Sequence, residues 1–422
     1  MKIEVKKLPK SRVEIEVTLE KSEIKPYYDR TLSDLSRTVE MKGFRPGKVP
    51  RETVEKTLGR PKILVEAAER SVEELYPKIV VEKNLEIIGR PEIEIKKADE
   101  DEFFWRAKAS VLPEIKLADY KDIAKSEEKK KVSVEKKEID DSIDYLQKSR
   151  AEIKDADRPA ELGDLVEVDF EGRVAGVKLE GSQSKNHPAV LGEGKLIPGF
   201  EDELAGLKVG EEKDFSVQAP ADYWEQNLRG KKIDFHVKVI KVRERKLLDL
   251  NDEFAKKLGH FENLENLKSS VNEGLLVEKQ EKEKERRRAA IVEKVAVSSS
   301  MDLPELLVDE EIKKMVHELS HTVERNGLKL EDYLAHVKKS ADDLHKEFRQ
   351  EAEKRVRVAL VMREVARCEQ VKISDEELDS KTQEILRTVP PEDQKKIDIA
   401  DLKVYANGIL RNQKVFEILE SY

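Results

Sequence analysis

Past Arg245 the apolar residues of this chain recur almost throughout at three- and four-residue steps, whereas two earlier stretches alternate apolar and polar residues with a period of two. Those periods belong to helix and strand. A chain of 422 residues that keeps the two patterns in separate blocks is not expected to close around one core, and its length predicts two to four domains. Charged residues make up 41% and aromatic residues 5% of the chain. That is too much solvated surface for one dense interior, and it suits an elongated, helix-rich body.

Residues 1–112 read as an α+β unit. Ile3 and Val5, then Val13, Ile15, Val17 and Leu19, alternate with polar residues on either side of Pro9-Lys10-Ser11, the pattern of a hairpin. A helix follows, with Ser22 as its expected cap and Ile24, Tyr28, Leu32, Leu35 and Val39 on one face. Pro50 is placed to start a short helix that Gly59 ends. Leu64, Ala68, Val72, Leu75 and Ile79 mark a longer one, with Pro77 as a point of kinking. Strand spacing returns at Ile93 and Ile95 and again from Phe103 to Val111, so the helices have a sheet to cover.

Lys and Glu dominate Lys125 to Lys137, a charged linker ahead of a helical stretch around Ile139, Ile143 and Leu146. From 160 to 245, glycine and alternating residues (Val166, Val168, Phe170; Phe215, Val217; Ile233, Phe235, Val237, Val239) predict a compact antiparallel β unit. Within it Leu196-Ile197-Pro198-Gly199-Phe200 turns into a short helix. Beyond it the pattern is helical: Leu264, Leu267, Val271 and Leu275 form one apolar stripe, and Ile312, Val316, Leu319 and Val323 another. Between Glu278 and Arg288 charges occupy every side, the pattern of a solvated strut.

Between the first two helices lies Gly43-Phe44-Arg45-Pro46-Gly47-Lys48-Val49-Pro50. Pro46-Gly47 suits the central positions of a type II turn, so the tip belongs at the surface. A Phe there has little core to enter, and the Arg beside it offers a planar fork of donors; together they are the chemistry of an interaction hot spot. The bland alternative folds Phe44 under as a satellite core residue, with glycines that merely turn the chain. From Lys42 to Lys62 seven basic residues stand against Glu52 and Glu55, an excess of five in a chain whose net charge is −9. This basic island can steer toward an RNA-rich particle. The octet resembles the ribosome-docking loop of bacterial trigger factor, Gly-Phe-Arg-x-Gly-Lys-x-Pro, with every fixed position present. The resemblance implies ribosome binding through Gly43, Phe44, Arg45, Pro46, Gly47, Lys48 and Pro50, to a protein at the exit of the polypeptide tunnel with ribosomal RNA nearby.

Val168-Asp169-Phe170-Glu171-Gly172, the run Leu196 to Leu204, and Gly206-Leu207-Lys208-Val209-Gly210-Glu211 resemble an FKBP-type prolyl isomerase. By that resemblance Phe170, Leu179, Leu196, Ile197, Phe200, Tyr223 and Phe235 line the catalytic pocket, with Glu180 at its polar edge. The chemistry calls for no cofactor, nucleophile or metal. Rotating a peptide bond faces a barrier of about 18–20 kcal/mol set by C–N double-bond character. A dry apolar pocket favours the twisted amide, which has lost charge separation, over the planar one. Leu179 stands where the family usually carries Phe, and His187, before Pro188, falls at another aromatic position, so a looser pocket with reduced turnover is expected. An ordinary β-domain core that binds peptides is the alternative.

Leu303-Pro304-Glu305-Leu306-Leu307-Val308-Asp309-Glu310-Glu311-Ile312 and Lys372-Ile373-Ser374-Asp375-Glu376-Glu377-Leu378 resemble segments of the trigger factor C-terminal body. The resemblance then spans nearly the whole chain and implies a multidomain α+β fold. Its parts are an N-terminal α+β ribosome-binding domain (1–112), a linker helix that packs on the C-terminal body (113–159), an inserted FKBP-like antiparallel β domain with a short helix (160–245), and an elongated all-α chaperone body with arms (246–422). The implied function is an ATP-independent chaperone on the ribosome. Scattered Leu, Val, Ile and Met side chains hold nascent and unfolded polypeptides open through many weak contacts, made effective by high local concentration, and so assist folding and export. A homodimer away from the ribosome is left open. So is a reading of another class, a free cytosolic FKBP-type isomerase whose helices recruit substrate and which has no use for the basic Phe-Arg tip. For the helical body alone, a scaffold or dimerisation element is the competing role.

Other signals are weaker. His317-Glu318-Leu319-Ser320-His321 matches the zinc-protease pattern H-E-x-x-H, yet the apolar stripe of its helix turns both imidazoles toward solvent and no third ligand is at hand. They read as surface histidines, and no metal is expected. Gly192-Glu193-Gly194-Lys195-Leu196 approaches a phosphate loop, but Ala189 takes the place of its first glycine and Leu196 that of the magnesium-binding hydroxyl, so no nucleotide is expected. Cys368 is the single cysteine; it supports no disulfide framework and reads as a small buried or half-buried filler. Met1 to Lys7 lacks the apolar core of a signal peptide, and no apolar run approaches membrane-spanning length, so a cytoplasmic protein with no membrane partner is expected.

Overall fold

The computed structural model describes residues 1–39, 44, 49–223 and 228–422, apart from the side chains of 179–181. Contacts divide the chain into two units. Met1–Lys129 joins Lys284–Tyr422 in one, and Lys130–Glu283 forms the other, inserted along the chain into the first.

The first unit opens with β1 (Lys2–Leu8), β2 (Arg12–Glu20), α1 (Lys21–Thr38), α2 (Arg51–Leu58), α3 (Arg60–Glu82), β3 (Ile87–Ala98) and β4 (Glu102–Val111). The strands form an antiparallel sheet in the order β1-β2-β4-β3, with Pro9-Lys10-Ser11 turning the first hairpin as its spacing predicts. Period two divides the side chains. Ile15, Val17, Leu19, Phe103, Trp105 and Ala107 go to one face and are buried under Ile24 of α1 and Leu64, Ala68, Val72, Leu75 and Ile79 of α3. Full burial of a large apolar side chain is worth about 1.5–3 kcal/mol, so this face dominates the stability of the sheet. The opposite face is ionic: Arg106 bridges Glu14 and Glu16, and Lys6 also pairs with Glu16. The cap of α1 differs from expectation. Glu20, not Ser22, is the N-cap, and Glu23 closes a box by accepting the Glu20 N–H at 3.0 Å. Ser22 falls inside the first turn because the strand runs directly into the helix.

After α4 (Tyr120–Ser126) the chain enters the second unit: α5 (Lys136–Ser149), β5 (Glu152–Asp155), β6 (Leu165–Val174), β7 (Val177–Val190), α6 (Phe200–Leu204), β8 (Glu212–Gln218), β9 (Lys232–Lys246), α7 (Asp252–Leu258) and the start of α8 (Leu264–Ser298). The sheet is antiparallel in the order β5-β9-β6-β7, and β9 is long enough to pair β8 near its start and β5 at its end. Val166, Val168, Ile233, Val237 and Val239 line the inner face, which α6 closes with Phe200 and Leu204. A second, smaller core joins Ile143 of α5, Phe254 and Ala255 of α7, and Leu267 of α8.

The first unit resumes along α8 and continues through α9 (Glu305–Arg325), α10 (Leu330–Val337), α11 (Ala341–Cys368), α12 (Asp375–Thr388), α13 (Pro391–Gln394) and α14 (Ile399–Ser421). One core gathers Ala124 of α4, Val292 and Val295 of α8, Val361 and Val365 of α11, and Val415 of α14. Another packs Val308, Ile312 and Met315 of α9 on Ala352, Val356 and Leu360 of α11. Met315 therefore replaces Val316 and Leu319 as the buried step after Ile312; both of those are half-buried, Val316 against the α9–α11 core. Cys368 is exposed rather than buried, because it ends α11 beyond the packed positions Val361 and Val365.

The charged stretch 278–288 is not solvated on every side. Arg286 Nη1 donates to Glu127 at 2.9 Å, Arg287 donates to the Glu127 and Ala124 carbonyls at 2.9 and 3.1 Å, and Arg288 grips Glu420 at 2.6 and 2.9 Å. Arg287 thus satisfies carbonyls left open where α4 ends, a position where helix dipoles favour cations.

The β1–β2 turn docks on the helical part of its own unit. Ser11 N donates to Asp302 Oδ2 at 2.8 Å, and Lys10 pairs with Glu305 at 2.7 Å. Gly89 sits at φ 71°, a conformation that favours glycine, and a Cβ there would lie 2.5 Å from Leu306 Cδ2, so the end of that side chain would have to shift.

Candidate functional site

The helices that flank residues 40–48 share a small sealed core. Leu32 of α1, Val49, Val54 of α2 and Ile63 of α3 are buried together, with Tyr28, Leu35 and Leu58 packed around them. Tyr28 Oη donates to Glu55 at 3.1 Å, and Arg60 donates to the same carboxylate. Burial and the Glu55 contact push the Tyr28 hydroxyl up to about 12, while Arg60, then Tyr28, holds the Glu55 carboxyl below its usual range. Pro50 is the N-cap of α2. Among the described residues, Phe44 is not one of the side chains packed in this core, and 41% of its surface is exposed. Gly43, Arg45, Pro46, Gly47 and Lys48 lie outside the described residues. Arg51, Lys56 and Lys62 are exposed, whereas Arg60 is committed to Glu55 and Glu100, which trims the basic island.

The second candidate site is an aromatic platform on the inner face of the inserted sheet. Phe200, the first residue of α6, meets Phe235 of β9 edge to face with ring centroids 4.9 Å apart. Phe170 of β6 packs at 5.7 Å from Phe200 and 6.1 Å from Phe235. Leu196, Ile197 and Tyr223 are half-buried against the same cluster. Two neighbours complete the platform. Phe215, which the spacing marked only as a strand residue, lies 5.2 Å from Phe200, and His187 meets the Phe170 ring edge-on at 5.4 Å. His187 therefore occupies an aromatic place. Leu179 and Glu180 belong to β7, and their side chains lie outside the described ones. Gly172 lets the strands close here, since a Cβ would stand 2.9 Å from Phe235 Cε1. Phe170 also lines an open cleft of about 660 Å³, whose other walls include Asp169, Glu171, Glu212, His236 and Lys238.

One residue that spacing did not reveal organises the wall. Glu201 is buried, and its carboxylate accepts from the N–H groups of Gly192, Gly194, Lys195 and Leu196 at 2.8, 2.9, 2.9 and 3.2 Å. Burial raises its pKa, but the four backbone donors outweigh burial and hold it below the usual carboxylate range. These are the amides of the phosphate-loop look-alike; they are spent on the protein's own carboxylate. His317 and His321 are both exposed, and Glu318 contacts Arg355 at 3.3 Å. Among the described residues no group of three or more His, Cys, Asp or Glu side chains is placed to hold a metal ion. No helix among them is long and apolar enough to cross a membrane.

An antiparallel sheet with an aromatic platform under a short helix, inserted into a chain whose remaining parts are an α+β unit and a helical body, defines a chaperone that carries a prolyl isomerase. Residues 156–240 match the FKBP-type peptidyl-prolyl cis-trans isomerase family. Residues 1–146 match the bacterial trigger factor protein family, and 263–420 match its C-terminal part. The chain is 34% identical to trigger factor of Moorella thermoacetica, covering all of this chain and 94% of that protein, and 32% identical to that of Caldicellulosiruptor bescii, covering all of this chain and 96% of the relative. A solved structure of the trigger factor chaperone, studied for promiscuous substrate recognition in folding and assembly, aligns with a TM-score of 0.58 at 25% identity over 100% of this chain and 99% of that one. The chain belongs to the trigger factor family. It is a ribosome-associated molecular chaperone with peptidyl-prolyl cis-trans isomerase activity, and a free isomerase is not favoured, because the likeness runs through the segments on both sides of the isomerase domain.

Proposed function

We propose that Phe44 and Arg45, with Gly43, Pro46, Gly47, Lys48 and Pro50 shaping the tip, anchor the chain to a protein at the ribosomal tunnel exit, with ribosomal RNA near enough to attract Arg51, Lys56 and Lys62. The observation that carries this reading is the 41% exposure of Phe44 beside a core filled, among the described residues, by Leu32, Val49, Val54 and Ile63. A partly exposed aromatic ring is stabilised when a partner covers it. Residues 1–112 then serve as the ribosome-binding domain, 160–245 as the isomerase, and 246–422, with the linker 113–159, as the body that holds nascent and unfolded polypeptides in the cytoplasm without ATP. In the isomerase, Phe170, Leu179, Leu196, Ile197, Phe200, Tyr223 and Phe235 supply the apolar wall that favours a twisted prolyl amide, with Glu180 at its polar edge. Off the ribosome the chain is free to form a homodimer.

The test places a photoreactive benzoyl-phenylalanine at position 44 and irradiates the chain with ribosomes. The expected product is a cross-link to a ribosomal protein, lost when Arg45 is also changed to Ala. Irradiation that yields no ribosomal product, or a product with RNA alone, contradicts the proposal.

A further inference from the structure

Neither ribosome docking nor isomerisation uses His317 and His321. They stand one turn apart on α9, both exposed, with ring centroids 4.9 Å apart and ring planes at 74°. An imidazole that ligates a late transition metal through a bond of about 2.0–2.1 Å keeps its centroid about 3.2 Å from the ion. Two rings on one ion then lie about 4.5 Å apart when their bonds meet at a right angle and about 5.2 Å apart at the tetrahedral angle. The observed spacing, that of an edge-to-face contact between the two rings, also falls between these limits, so a ring rotation with little change of distance brings a nitrogen of each to one ion.

We propose that His317 and His321 form a two-ligand surface site for a divalent late transition metal, tightest for Cu²⁺ and weaker for Ni²⁺ and Zn²⁺, with water completing the coordination. Imidazole nitrogens suit these ions and not Mg²⁺ or Ca²⁺, and the order follows the general affinity series. The neighbouring carboxylates are engaged elsewhere. Glu318 contacts Arg355 at 3.3 Å, and Glu324 accepts from Ser320 Oγ at 3.0 Å. Two protein ligands on an open helix face fall short of the three that a catalytic zinc takes, so the H-E-x-x-H match captures an ion without building a protease. Because α9 is held by Ile312, Met315 and Val323, the histidines keep their one-turn spacing, and a bound ion clips the C-terminal turns of the helix together.

The test titrates the untagged full-length chain carrying Cys368→Ser, which removes the exposed thiol that would itself take Cu²⁺ and Zn²⁺, stripped with EDTA and run separately against CuCl₂, NiCl₂ and ZnCl₂ by calorimetry. One saturable equivalent is expected, with Cu²⁺ tightest, and the metal should raise the melting temperature. His317→Gln and His321→Gln should each weaken binding by roughly tenfold or more, since a lone imidazole loses the effective concentration of its neighbour. His236→Gln and His345→Gln, at the histidines beside Asp214 and Asp309, should leave it unchanged. Circular dichroism of the metal-free variants should match the parent, because both rings are exposed. Undiminished binding in the His317→Gln/His321→Gln double variant, loss of binding in His236→Gln or His345→Gln, or no saturable binding of any of the three ions overturns the proposal.

Discussion

Glu201 follows the platform residue Phe200 in the chain and spends its carboxylate on four backbone N–H groups of Gly192–Leu196, the segment that delivers Leu196 to the pocket wall. Its folded pKa is depressed, so the stability it contributes is present above the unfolded carboxylate range and is lost as pH falls through the folded value. Glu201→Gln should therefore cost roughly 1–3 kcal/mol at neutral pH in urea denaturation. It should also flatten the acid limb of the stability profile and slow prolyl turnover in a protease-coupled assay; an unchanged acid limb would show the carboxylate to be idle. Spacing in the sequence marks the glycine loop and rejects it as a nucleotide site. It cannot say where the freed amides go, because their acceptor is identified only once α6 is laid against the loop. The platform itself was largely legible, since Phe170, Phe200 and Phe235 fall at inward positions of patterned elements, whereas Phe215 and His187 join through cross-strand contacts that period two does not rank.

At the scale of elements, the strands and helices of residues 1–112 follow directly from their alternation, and the departures have a common cause. The charged run of α8, the exposed Cys368 and the choice of Met315 over Val316 all depend on which neighbour an element meets, which a helical wheel does not contain. Arg287→Ala should lower stability by about 1–3 kcal/mol by leaving the Ala124 and Glu127 carbonyls unpaired. Hydrogen exchange should quicken at the end of α4 while the helix content of α8 stays constant. A neutral effect would restore the solvated strut that composition suggests. Gly89→Ala should be costlier than an ordinary surface change, by about 1–3 kcal/mol, since it combines a strained φ with a clash against Leu306; Leu306→Ala in the same chain should recover part of the loss.

For the whole molecule, each unit has its own cores and the inserted one needs none of the first unit's residues to close its sheet. Calorimetry should accordingly resolve more than one transition, and the platform change Phe200→Leu should shift one of them alone. A single transition that moves as a whole would mean the units fold as one cooperative body. Insertion of the β unit is visible in the sequence as a change of period.

The central claim is that the exposed Phe44, with Arg45 beside it in the chain, anchors this chaperone at the ribosome. Cys368 is exposed and is the single cysteine, so a fluorophore placed there reports binding directly. Equilibrium titration with ribosomes should give saturable binding for the parent chain and for Phe200→Leu, and affinity weaker by roughly thirtyfold or more for Phe44→Ala/Arg45→Ala, the loss of a hot spot worth about 2 kcal/mol or more. Equal affinities for the parent and the double variant would contradict the account.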